Sequence, residues 1–412
     1  MRDGRTPQRG ITLKQAHNLE DVRAVAHRKL PGAVKDFIEG GAEDELTISR
    51  NRQAFQDLTF ERRALVDVSI RDQSTTLLGT PVASPIVLAP VGLAALAHPR
   101  GEAAAAAAAA DRGIITTLSS SSTWNIEEVA AASTGPKWFQ LYIWRDRELT
   151  KEIVERARAA GYKALALTVD VPVSARRERD LRNGFEIPPR PTVRHAGDVL
   201  RHVGWFSRLA KDELFGHGLT MGNFAPADGV RKRMVMMEMV NELFDPSVTW
   251  DDVGWLQSLW GGPLVIKGIN SVADARRAVD VGVRGVWVSN HGGRQLDGLA
   301  ASATVLPEIV DEVGDEVEVF LDGGVRRGSD IVKALALGAR ACMIGRPYMY
   351  GLAAGGQAGV DKVLRQFQTE IDATLALLGC ASVKDLDRSF VREIAQLSKE
   401  SAMISPGTAP RT

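Results

Sequence analysis

Eight short runs of apolar, β-forming residues recur along this chain, and that recurrence limits its fold more than any other feature. The runs are Ile86–Pro90, Ile114–Leu118, Trp138–Ile143, Ala164–Val169, Leu264–Ile266, Val286–Val288, Val317–Leu321 and Ala341–Ile344. Between most of them lies a segment with helical spacing: Gly101–Ala110, Asn125–Ala132, Glu148–Ala160, Val272–Val281, Ser302–Val313 and Ser329–Leu337. Apolar runs without polar alternation suit strands buried on both faces. Strands that alternate with helices predict a parallel sheet. Eight such units predict an α/β fold, a closed (β/α)8 TIM barrel over about residues 86–350. The competing arrangement is an open doubly wound sheet. Its phosphate loop belongs in the first unit, whereas the glycine-rich motif here lies in the last two.

The flanks read differently. Leu19–Arg28, Pro31–Glu39 and Asn51–Leu58 have helical spacing and predict an N-terminal extension that caps one barrel end. The connection from Asp170 to Leu264 is far longer than one helix needs, and long connections are commonly functional. About residues 190–230 are expected to form a flap over the barrel mouth, with Met234–Phe244 and Trp250–Trp260 as amphipathic helices leading back. Val360–Leu378 predicts a long final helix. The whole is expected to be a single domain over residues 13–390, with residues 1–12 and 401–412 as flexible tails.

Charge and cysteine usage exclude several function classes. The chain has 51 basic and 51 acidic residues, so no basic excess points to nucleic acid. Its two cysteines, Cys342 and Cys380, lack metal-ligand spacing and cannot form a disulfide framework, so no metal site and a reducing cytoplasm are expected. No apolar run reaches the roughly 20 residues of a membrane span. The aromatic and basic run around Trp205 reads as part of the flap; its other reading is a peripheral contact with the inner face of a membrane.

Active sites of such barrels lie at the C-terminal ends of the strands. The runs here end on Pro90-Val91-Gly92, Ser119-Ser120, Gln140 with Tyr142, Thr168 with Asp170, Lys267-Gly268, Ser289-Asn290-His291, Asp322-Gly323-Gly324 and Gly345-Arg346. Polar groups thus gather at one rim. The glycines and arginines of Asp322–Gly328 and Gly345-Arg346 suit a phosphate: exposed backbone N–H groups, a helix start at Ser329, and guanidinium groups that fork onto oxygens. Lys267 has three readings. It is an ion-pair partner of a rim carboxylate, a Schiff-base lysine, or a fixed charge beside an electron-rich ring. Asp170 would orient His291 and stabilise the imidazolium formed when that ring takes a proton. Arg177 and Arg294 suit a substrate carboxylate, or else pair on the surface with Glu178, Asp180 or Asp297.

These residues resemble a known family. Ser289-Asn-His-Gly-Gly-Arg-Gln-Leu-Asp297 is similar to the signature of FMN-dependent enzymes that oxidise L-2-hydroxy acids, which include glycolate oxidase, L-lactate dehydrogenase and (S)-mandelate dehydrogenase. Gly41–Asp44, Trp138–Tyr142, Leu167–Asp170, Leu264–Gly268 and Phe320–Gly328 support the resemblance, which runs from about residue 13 to 390. It implies oxidation of a small 2-hydroxy acid by hydride transfer to flavin N5, then reoxidation by oxygen, a quinone or a protein acceptor. It also implies a homo-oligomer, a tetramer. Residue by residue, Pro90, Val91 and Gly92 would pass beneath the flavin, and Ser119, Gln140 and Thr168 would bond its edge. Lys267 would sit by N1 and O2, and Ser289 by the ribityl chain. Asp322, Gly323, Gly324, Arg326, Gly345 and Arg346 would hold ribityl and phosphate. His291 would be the base, oriented by Asp170. Arg177 and Arg294 would bind the carboxylate, and Tyr142 the substrate hydroxyl.

The chain departs from the family pattern at three positions. Phe37 stands where most members carry a tyrosine that bonds the carboxylate, a loss of roughly 1.5–3 kcal/mol. Val91 replaces a threonine, and Ser121 an aromatic residue. Phe37 and Ser121 favour a bulkier or more apolar acid. The competing functions are an FMN barrel acting on an amine or a modified peptide, an FMN-dependent isomerase, and a flavin-free lyase built on Lys267.

Overall fold

The alternating pattern closes into a barrel. In a computed structural model, which describes residues 10–184, 196–215, 218–219, 221–224 and 244–394, eight parallel strands pair in sequence order and the last pairs with the first. They are Ile86–Leu88, Ile115–Ser119, Lys137–Leu141, Ala164–Thr168, Leu264–Ile269, Gly285–Val288, Glu318–Leu321 and Ala341–Ile344. Each begins and ends within three residues of its expected run, the fifth extending furthest to Ile269, and the open-sheet alternative is set aside.

Along every strand, alternate residues face the barrel interior. The interior row is apolar at the lower levels: Val87, Ile115, Trp138, Ala164, Ala166, Val265, Trp287, Phe320, Ala341 and Met343 pack in one cluster. Large rings sit opposite alanines, and Trp138 meets Phe320 edge-on with centroids 5.3 Å apart. The other row packs outward on the helices. Above them the interior row becomes polar on six of the eight strands, at Ser119, Gln140, Thr168, Lys267, Ser289 and Asp322, and continues as Ala89 and Gly345 on the first and last. The site is therefore the top layer of the barrel core itself.

The two barrel ends are covered by different means. At the N-terminal end, a ribbon pairs Thr75–Leu77 with Thr80–Val82 and inserts the fully buried Leu77 into the interior cluster. At the C-terminal end lie three helices, Leu19–Lys29, Gly32–Glu39 and Leu46–Gln56. The third helix differs from the expected Asn51–Leu58. It begins earlier because Asp297 caps it from across the fold, accepting from the Leu46 and Thr47 N–H groups at 3.1 and 2.8 Å. It ends earlier because Leu58–Phe60 leaves to pair with Val391–Glu393.

The final helix runs from Arg346 to Leu378, starting well before the expected Val360. It kinks at Gly355-Gly356, where Gly356 has φ +58° and a Cβ would meet the His98 ring at 2.9 Å. The kink interrupts the apolar spacing, so only the second half is periodic in sequence. Of the expected flap, Ala196–Arg201 and Val203–Phe215 are helical. Trp205 is buried, and its indole donates to the Leu96 carbonyl at 2.8 Å, while the Asp198 carboxylate accepts from the Gly32 N–H. The segment thus docks on the rim at the first strand's loop and the second helix. The expected helix start at Met234, much of the flap and both tail ends lie outside the described residues. Among the described residues, no helix is long and apolar enough to cross a membrane.

Candidate active site

The sixth strand stops where its backbone turns left-handed three times in succession. His291 has φ +56°, Gly292 +63° and Gly293 +74°. A Cβ on Gly293 would lie 2.8 Å from the Ile48 nitrogen, so the turn can press against the third N-terminal helix only with glycine there. A histidine in this region is strained. It is held by its own N–H donating to Ser289 Oγ at 3.1 Å and by its ring, whose Nδ1 lies 3.0 Å from Asp170 Oδ1. Burial pushes Asp170 upward, but the His291 and Lys267 charges and the imidazole hydrogen bond outweigh it and hold the carboxyl below its ordinary range. An ionised Asp170 keeps a proton on Nδ1, which leaves Nε2 as the acceptor facing the cavity.

Lys267 shows the ion-pair reading of the three. Its Nζ donates to Ser289 Oγ at 2.9 Å and lies 3.3 Å from Asp322 Oδ2, with both side chains nearly buried. Ser289 in turn donates to Asp322 Oδ1 at 2.7 Å. The pair is compatible with a fixed charge at the rim.

Arg177 and Arg294 flank one ring. Their guanidinium carbons lie 5.5 and 5.2 Å from the Phe37 centroid. Arg177 Nε is 3.1 Å from Asp180, one of the surface partners considered from sequence, although Asp180 is itself buried. Arg294 does not pair with Asp297. It donates to the Phe37 and Gly40 carbonyls at 2.8 and 2.9 Å, and burial, then Arg177 and Arg346, press it well below the ordinary guanidinium range. Burial, with Asp170 nearby, raises the Tyr142 phenol above its usual value, so this hydroxyl stays protonated.

These groups line one cavity of about 410 Å³ that also reaches Pro90, Val91, Gly92, Gly323, Gly324 and Gly345. Six of its lining residues are arginine or lysine and two are aspartate, a strong positive excess. Gly323 and Gly324 have φ +96° and +84°, and the Asn51 carbonyl would lie 2.0 Å from a Cβ on Gly324. Arg326 N–H donates to Asp330, and Arg346 spends three N–H groups on the Ile38, Gly292 and Gly40 carbonyls. The helix expected to start at Ser329 starts at Gly328, and its first amides are taken by Asp330 and Glu370. Its dipole remains, but those N–H groups face carboxylates.

Comparison with known proteins decides the family. The sequence model for FMN-dependent dehydrogenases matches residues 26–393. This chain belongs to the FMN-dependent dehydrogenase family. It is 46% identical over 378 residues to the L-lactate oxidase of a Nostoc species, covering 91% of this chain and 97% of that one. It is 42% identical over 374 residues to glycolate oxidase of Spinacia oleracea, covering 91% and 95%. A solved structure of monotopic membrane protein (S)-mandelate dehydrogenase superposes with a TM-score of 0.87 at 40% identity, covering 92% of this chain and 99% of that one. The protein is an FMN-dependent oxidoreductase of the α-hydroxy acid oxidase and dehydrogenase group.

The cavity fits FMN on its own terms. Gln140 Nε2 and Thr168 Oγ1 are buried at the rim with no partner among the described residues, which is costly unless a ligand edge meets them. A positive cavity beside paired left-handed glycines suits a phosphate.

Three contributors to this site escaped sequence reading. Asn51 and Asn290 exchange side-chain amide hydrogen bonds at 2.8 Å, tying the third N-terminal helix to the residue before His291. Glu102, the one acid in an alanine run, is buried and accepts from the Ala94, Thr123 and Trp124 N–H groups, which joins the first two strand loops. Trp287 donates to Asp322 Oδ2 at 3.0 Å. Only Glu102 left a trace: a lone charge on a helix otherwise fit for full burial.

Proposed function

We propose that this enzyme oxidises an L-2-hydroxy acid with a bulky or apolar side chain to the 2-oxo acid, with His291 as the base. The observation that carries the reading is the convergence of the His291–Asp170 pair, the Arg177–Arg294 pair and Tyr142 on one cavity. Arg177 and Arg294 bind the substrate carboxylate. Tyr142, protonated, donates to the oxygen on Cα. His291 Nε2 takes the hydroxyl proton, and Asp170 stabilises the resulting imidazolium through Nδ1. FMN, when bound, supplies the acceptor for the hydride that leaves Cα. Phe37 in place of a hydroxyl-bearing ring and the small Ser121, both lining the cavity, support the larger side chain.

The test mixes the holoenzyme anaerobically with glycolate, L-lactate, L-mandelate and L-3-phenyllactate and follows the flavin band. Bleaching fastest with the aryl acids is expected. Bleaching by none of the four would overturn the reading and leave an amine substrate or an isomerase, which the missing hydroxyl at Phe37 suits better. Reoxidation in air then separates oxygen from a quinone or protein acceptor.

A further inference from the structure

Trp287 belongs to the sixth strand's interior row and is fully buried. In register it stands beside Lys267 on the fifth strand and Phe320 on the seventh. Its indole N–H donates to Asp322 Oδ2 at 3.0 Å, and its ring face lies 5.2 Å from the Lys267 ammonium. Lys267 Nζ lies 3.3 Å from that same carboxylate oxygen. One residue therefore touches both members of a buried ion pair: its N–H stabilises the anion and its π face attracts the cation.

We propose that Trp287 is a positioning residue that keeps the Lys267 charge available to the flavin by sharing Asp322 with it. Where an indole N–H and an ammonium share one oxygen, the N–H stabilises part of the carboxylate's charge, and the ammonium is less fully neutralised. In a buried site of low effective dielectric, that residual positive charge acts strongly on its neighbours. A cation beside the flavin's electron-rich side favours its reduction. Loss of the N–H lets Asp322 pair fully with Lys267, and the flavin becomes harder to reduce. The inference rests on the placement of Lys267 beside the flavin, which the test checks separately.

The readout is the two-electron midpoint potential of the bound flavin in the holoenzyme, measured by equilibrium titration against a reference dye. Trp287→Phe keeps a ring face and removes the N–H. It is expected to shift the reduced-to-oxidised equilibrium threefold to tenfold toward the oxidised form, about 15 to 30 mV downward for two electrons. Lys267→Met should lower the potential further, and adding Trp287→Phe to it should change nothing more. Phe320→Leu, which opens space in the same interior layer without touching Asp322, should leave the potential unchanged. If the smaller ring at 287 costs the fold, replacement of Trp287 by 3-benzothienylalanine keeps the bicyclic shape without the N–H and gives the same readout. No shift, an upward shift, or a shift equalled by Phe320→Leu overturns the inference while Lys267→Met still lowers the potential. No shift in Lys267→Met overturns the placement of Lys267, and the inference with it.

Discussion

The two ends of the barrel are built from the same eight strands and obey opposite rules. At the N-terminal end Leu77 and Val82 fill the interior, and the Leu78 N–H meets the Glu318 carboxylate at 3.0 Å. At the C-terminal end the structure buries Lys267 and half-buries Arg294 and Arg346, leaves Gln140 and Thr168 with polar atoms that have no partner among the described residues, and turns a histidine left-handed. One end lowers the free energy of the fold. The other raises it, in arrangements that gain only when an anionic, planar, hydrogen-bonding ligand arrives. On most strands a step of two residues separates the regimes.

Five substitutions test that division. His291→Ala should leave FMN bound and slow flavin reduction by at least about 10³-fold, the scale of a lost general base; stopped-flow bleaching at the wild-type rate would break the assignment. Leu77→Ala, at the opposite end, should cost about 2–5 kcal/mol of stability yet leave the rate per bound flavin unchanged, read by denaturant unfolding and single-turnover kinetics. Phe37→Tyr should restore a hydroxyl to the two-arginine site and lower KM for L-lactate by roughly tenfold, about 1.4 kcal/mol, with a smaller effect on kcat.

The remaining two are smaller. His27 and Arg23 bond Glu39 and, against burial, hold its carboxyl well below the ordinary range. A depressed carboxylate contributes stability that is fully present above the unfolded value of about 4.3 and is lost as pH falls through the folded one. Glu39→Gln should therefore cost about 1–2 kcal/mol at neutral pH, with the gap to wild type closing below about pH 4 in thermal melts. Thr168→Val should stabilise the flavin-free protein by about 1 kcal/mol while weakening FMN binding, because it removes a buried hydroxyl that only a ligand satisfies. A destabilised apoprotein would show that the hydroxyl has a partner in the flavin-free fold.

Much of this was legible in sequence. Continuous apolar runs alternating with helical spacing located all eight strands and the residues that follow them, because both patterns are local properties of the chain. Partnership is not local. Asn51 meets Asn290 across 239 positions, and Thr59 pairs with Arg392 across 333. Arg346 looked like a free phosphate fork, yet it braces the Gly292 turn against the end of the second helix. The rim's Trp287 read as one more buried strand residue, since nothing in a short apolar run announces that an indole N–H has found a carboxylate two residues up the next strand.

The Asn51–Asn290 exchange also fixes an order of events in synthesis. Chains emerge N-terminus first, at about 5–20 residues per second. The helix bearing Asn51 leaves the ribosome early and must wait for most of the barrel before its amide partner exists. The pairing of Leu58–Phe60 with Val391–Glu393 waits longer still. A nascent chain that ends before the sixth strand has neither Asn290 nor His291, nor the Gly323-Gly324 turn that rests on the Asn51 carbonyl. Competence to take up flavin is thus among the last properties the growing polypeptide acquires.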